Sequence, residues 1–180
     1  MTQSSENSGA SRRASSEARA DSLAWAGYAA AAWAFLFAAT SFYWALGGRI
    51  GVETIGAAIT GPALAGDPTI LAIVWITGAL KVVAGVVSLA LIQPWGRRIS
   101  RWMLLLAGWG ASALFLVYGA ANLIEDALVV FGAIPLPSGL GAVAAYWHLF
   151  LWDPWWLLGG ALFALASWSY WRYGHERGGR

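Results

Sequence analysis

Lys81 is the only charge in the 29 residues from Pro68 to Gly96, and an ammonium on an apolar stretch is suited to holding an anion or carrying a proton. Thr77, Gly78, Ala84, Gly85 and Ser88 stand at offsets −4, −3, +3, +4 and +7 from it, which on a helix is its own face. Small residues in that pattern mark close helix contact, so Lys81 is expected to point inward. A second stripe, Gly108, Ser112, Gly119, Asn122 and Asp126, follows near-helical spacing, with Tyr118 one turn before Asn122 and Glu125 beside Asp126. Lys81, Tyr118, Asn122, Glu125 and Asp126 therefore form one candidate polar site. If the helices sit level, Lys81 lies about 15 Å from the acids and its stem reaches about 6 Å, so pairing is expected through tilt, Asn122 or water.

His148 and Asp153 form a second candidate site, five residues apart and near Glu53, Asp67, Glu125 and Asp126 in the expected topology. Carboxylates with an imidazole are suited to cations, but no metal-ligand spacing is present. Asp153-Pro154 before an apolar run also reads as a helix start, with Asp as the cap and Pro at the first helical position. There is no GxSxG, HExxH, P-loop or dinucleotide fingerprint. With no Cys in the chain, disulfides, thiolate metal sites and CxxC redox chemistry are excluded. No catalytic set, cofactor or metal is expected, and an enzyme acting on a lipid-linked substrate through His148 and Asp153 ranks last.

The elements that carry these residues follow from composition. Of 180 residues 59% are hydrophobic and 11% charged, against roughly 25% charged in a soluble domain. A soluble globule of this size has too little interior for so much apolar surface, so a bilayer must serve as part of the solvent. The net charge of +2 gives no support for nucleic-acid binding. A bilayer core needs about 20 apolar residues in a helix, and four charge-free runs fit: Ser22–Gly48, Pro68–Gly96 with Lys81 inside it, Trp102–Ile124 and Pro154–Trp171. None shows the alternation of barrel strands, so each is expected to be helical. The reading is an all-α, four-helix membrane bundle over residues 23–171, with spans near 23–46, 70–92, 102–124 and 154–171.

Residues 1–22, with seven Ser and no large apolar residue after Met1, read as a disordered tail, and 172–180 as a basic tail. Nine Arg lie before span one, between spans two and three or after span four, against Arg49 alone on the other side. The positive-inside rule then places both termini in the cytoplasm and both long loops outside. Trp25, Trp95, Trp102, Trp168 and Trp171 near one set of ends, and Trp44, Trp147, Trp152, Trp155 and Trp156 near the other, are expected as interface anchors. Loop one, Arg49–Thr69, turns at Gly61-Pro62 and Asp67-Pro68. In loop two, Glu125–Asp153, the largely apolar Gly139–Trp152 is too short to span and is expected to lie at the interface or dip in and return. The loops are expected to pack over the bundle as a lid.

The segments Ser41-Phe42-Tyr43-Trp44-Ala45-Leu46-Gly47-Gly48 and Leu151-Trp152-Asp153-Pro154-Trp155-Trp156-Leu157-Leu158-Gly159-Gly160, the latter with Trp147-His148 before it, give the chain a resemblance to small bacterial membrane proteins grouped as domain of unknown function 3995. The resemblance covers roughly residues 23–171 and implies a four-helix membrane protein without bringing a known activity. A His often stands in that family where this chain has Ser41. Heavy use of Ala, Gly, Trp and Arg also resembles proteins of high-GC bacteria. The expectation is a small, non-catalytic protein of the bacterial inner membrane that associates with membrane lipid, with a second copy of itself or with another membrane protein. The alternative is a small transporter using Lys81 as an anion or proton site.

Overall fold

The computed structural model describes residues 2–173, with side chains from 24 to 172. It is helical throughout, with no strand among the described residues. Helix α1 runs Thr2–Ala45, α2 Ala57–Leu64, α3 Pro68–Ile92, α4 Arg101–Val130, α5 Ala142–Trp147 and α6 Asp153–Tyr173. Short 3-10 turns at Val52–Ile55 and Pro94–Arg98 and a π turn at His148–Trp152 complete the elements. Four helices are long and apolar enough to cross a membrane, with α5, the π turn and α6 counting as one.

Two tight pairs make the bundle, α1 with α3 and α4 with α6, and the pairs join where α1 meets α6. Small residues allow each close approach. On α3, Gly78 and Gly85 lie beneath the rings of Phe42 and Phe35, and Ser88 donates to the carbonyl of Gly27 at 2.8 Å. On α4, a Cβ at Gly119 would meet the Trp156 Cβ and the Asp153 carbonyl oxygen, and Ser112 donates to the Gly160 carbonyl at 2.9 Å. In an apolar medium such backbone approach and hydrogen bonding, rather than hydrophobic burial, drive helices together.

The core is aromatic. Trp33 is 3% exposed and packs within 5.1–6.3 Å, centroid to centroid, of Phe37, Phe115, Trp155, Trp156 and Phe163, while its indole N–H donates to the Trp155 carbonyl at 2.9 Å. Trp152, Trp155 and Trp156, expected as interface anchors, instead pack against this cluster. Their Trp-rich segment turns inward because α6 begins beneath the loops, not at the end of a free helix.

Three further expectations change. Helix α1 begins at Thr2, where the sequence suggests a disordered tail: residues 2–22 hold one Gly and no Pro, with four Ala, three Arg and two Glu, and a helix already formed propagates into a stretch without strong breakers. The 172–180 tail lies, beyond Tyr173, outside the described residues. Helix α4 continues past Ile124 to Val130, and Gly139–Trp152, expected as a short piece of its own, is helical from Ala142 and runs into α6.

The two long connections do close over one end of the bundle. Ala57 and Ala58 of loop one donate to the carbonyls of Leu140 and Gly139 in loop two, at 3.3 and 2.9 Å, and the Trp152 indole donates to Thr54 Oγ1 at 3.0 Å. At the opposite end, α3 and α4 are joined tightly through Pro94–Arg98, where a Cβ on Gly96 would collide with the Ala90 carbonyl.

Candidate functional site

Lys81 is the fourteenth of the 25 residues of α3. Its Nζ donates to Ser41 Oγ at 2.7 Å and sits 3.7 Å from the centroid of the Phe37 ring, with Trp156 at 5.8 Å. Ser41, buried at 2% exposure, donates its own hydroxyl to the Phe37 carbonyl at 3.3 Å. The ammonium is thus held by α1, through one hydroxyl and one ring face. Among the described residues it has no carboxylate partner. An ammonium carries three donors, so two remain once Ser41 has taken one.

Lys81 also lines a cleft of about 490 Å³ between α3 and α4. Its walls are apolar, including Leu80, Val83, Leu114 and Phe115, with Trp156 of α6 behind. Leu80, Val83 and Leu114 are exposed on the flank of the bundle, so the cleft opens sideways. It exists because each of α3 and α4 is committed to its own partner and the two touch each other little.

Of the five residues of the first candidate site, only Lys81 and Tyr118 share the cleft. The glycine–serine stripe of α4 faces α6 at Ser112 and Gly119, and only Gly108 also approaches α3, at Leu91. Tyr118 lines the cleft and its ring packs edge-on to Trp156 at 5.0 Å. Asn122 turns back to its own helix, donating to the Tyr118 carbonyl at 2.9 Å. Glu125 is exposed. Asp126 follows the stripe toward α6, where it meets the second candidate site.

There Asp126, His148 and Asp153 converge. Asp126 Oδ2 lies 3.6 Å from His148 Nδ1, and one ligand atom from each of the three lies within 4.8 Å of the others. Asp126 is 4% exposed and Asp153 1%. Asp153 Oδ2 and His148 Nε2 are buried without a hydrogen-bond partner. Two carboxylates and an imidazole packed so closely require positive charge among them, carried by His148, by a shared proton or by a bound cation.

The π turn makes this cluster. Residues five apart on a regular helix point about 140° away from each other. Between His148 and Asp153 the chain instead closes an i→i+5 bond, Asp153 N–H to the His148 carbonyl, which brings both side chains to one side. Its cause is Pro154: a proline ring clashes with the carbonyl four residues earlier, here Phe150, and a widened turn relieves the clash. Asp153 therefore does not cap a helix. It has helical backbone angles, φ −70° and ψ −45°, inside a continuous helical stretch. The cap is the other Asp-Pro: Asp67 accepts from the N–H groups of Thr69 and Ile70 at 2.9 and 3.0 Å at the start of α3.

Sequence spacing missed two things, Ser41 as the Lys81 partner and the π turn that picks Asp126, out of the four acids expected near His148 and Asp153, as the one that joins them. The signal for the second is a proline that follows apolar helical residues rather than a turn. A family model described as "Protein of unknown function (DUF3995)" matches residues 34–163, a stretch containing both sites. No curated protein and no solved structure matches the chain.

Proposed function

The chain belongs to the DUF3995 family, whose function is unknown, and we propose that it is a four-span protein of the bacterial inner membrane that seats an acid-headed amphiphile in the cleft between α3 and α4. The observation that carries this reading is the carboxylate-free Lys81 at the edge of an apolar cleft that opens on the flank of the bundle. An ammonium at mid-helix, held by a hydroxyl and a ring, still needs a counter-charge. An acid headgroup supplies one, and its acyl chain fits the apolar walls. The cleft volume falls within the roughly 300–1,000 Å³ of small-ligand sites. Exposed apolar residues along α3 and α4, among them Ile73, Ile76, Leu106 and Val117, support contact with lipid. The arginine distribution supports cytoplasmic termini and loops on the outer side. The sideways opening favours binding from the bilayer over a carrier that passes an anion or proton along the bundle axis.

The test is binding of oleate, dioleoyl phosphatidylglycerol and oleyl alcohol to the purified protein in detergent, followed by native mass spectrometry. Oleate or the phospholipid should bind and the alcohol should bind at least about tenfold more weakly, since loss of one well-placed charge interaction is worth about 1.4 kcal/mol or more. Whichever acid binds identifies the source of the headgroup. Lys81→Met should abolish the preference, and Leu114→Trp, which fills the cleft from an exposed position, should weaken binding of both acids. Equal binding of acid and alcohol, or an unchanged preference in Lys81→Met, would overturn the reading.

A further inference from the structure

Independently of the Lys81 cleft, we infer that Asp126, His148 and Asp153 form a binding site for a first-row divalent cation, with three protein ligands and one position left open. The donors are two carboxylates and one imidazole, from α4, the π turn and the first residue of α6. Imidazole with carboxylate suits zinc, manganese or iron; the absence of thiolate and thioether removes any preference for soft ions. Ligand atoms about 2.0–2.2 Å from a tetrahedral zinc lie roughly 3.3 Å from one another. Asp126 Oδ2 and His148 Nδ1 are already at 3.6 Å, and the widest separation in the set, within 4.8 Å, has to shorten by about 1.5 Å for all three to reach one ion.

Two observations besides the clustering point to a ligand. Asp153 is 1% exposed and its Oδ2 receives no hydrogen bond among the described residues; the side chain within hydrogen-bonding reach of its carboxyl is a second carboxyl, Asp126, and two buried acceptors facing each other are costly unless a proton or a cation lies between them. The helix also departs from regular geometry in the one turn that brings His148 to Asp153, and π turns recur at functional sites. Neither Glu125, which is exposed, nor Lys81, which is bonded to Ser41, competes for the position. A bound dication supplies the positive charge that the two carboxylates lack.

The experiment uses the full chain, purified without a histidine tag and stripped with chelator. Zinc, manganese and calcium are added separately while thermal unfolding and bound metal per chain are measured. Zinc should bind at one per chain and raise the Tm, manganese should do so more weakly, and calcium should have no effect at equal concentration. His148→Gln, at a side chain 23% exposed, and the isosteric Asp153→Asn should each weaken zinc binding by about 100-fold or more, because loss of even an outer-shell partner costs 10–100-fold. His175, the chain's other histidine, stays in place in every variant as a control for adventitious binding. No zinc-dependent Tm rise in the parent chain, a calcium response larger than the zinc response, or zinc binding unchanged in both variants would each overturn the inference.

Discussion

Lys81 shows how far single residues can be read from spacing. The small-residue stripe around it correctly marks a helix contact, because Gly78, Gly85 and Ser88 all meet α1. Spacing gives a face but not the neighbour on it, and the stripe of α4 that looked complementary is occupied by α6. The acids expected to pair with Lys81 are therefore elsewhere. A double-mutant cycle separates the two arrangements. Lys81→Met combined with Ser41→Ala should show an interaction energy of about 0.5–3 kcal/mol, as groups in contact do, whereas Lys81→Met with Asp126→Asn should be additive within about 0.3–0.5 kcal/mol. Lys81→Met alone should leave thermal stability unchanged or raise it, since a buried charge without an ionic partner contributes little next to a well-packed apolar side chain. A loss of several degrees in Tm would mean that the ammonium is structural.

At the scale of elements, the chain holds two Asp-Pro pairs with opposite outcomes. Before Pro68 the chain is a turn, so Asp67 becomes a cap; before Pro154 it is already helical, so the proline forces a wide turn and Asp153 is delivered to a cluster. Local sequence rules treat the two alike, because what differs is whether Gly139–Trp152 packs as helix under loop one, a tertiary matter. Pro154→Ala, with the five-residue spacing of His148 and Asp153 kept, should let the wide turn relax to a regular helix and rotate His148 about 140° away from Asp153. The expected result is a folded protein whose Tm no longer responds to zinc; a retained response would show that the π turn does not position the ligands. Gly119→Leu, which drives a side chain into the Asp153 and Trp156 backbone, should separate α4 from α6 and destabilise by about 1–3 kcal/mol or more.

For the whole molecule, the four long apolar helices and the absence of strands among the described residues are what composition and run length predict. The pairing of helices was not legible, since apolar faces in a lipid-facing bundle carry no polar side to orient them. Orientation across the membrane is testable because the chain has no Cys. Single Cys residues at Ser100, Gly61 and Ser138 report it: Ser100 and Ser138 are exposed and Gly61 has open space beside it. Impermeant maleimide added to intact cells should label positions 61 and 138 and spare 100, and the reverse pattern would invert the topology.

The seam between α3 and α4 is bounded at both ends, by the Gly96 corner below and by the backbone bonds from Ala57 and Ala58 to loop two above. Mechanically the two helices are the uprights of a frame whose lintel and sill are fixed. Such a frame can bow at mid-height without giving way at either end. A guest with a long tail can leave only by sliding out broadside into the surrounding lipid, so its residence time should follow the stiffness of the host bilayer, lengthening in ordered membranes and shortening in fluid ones.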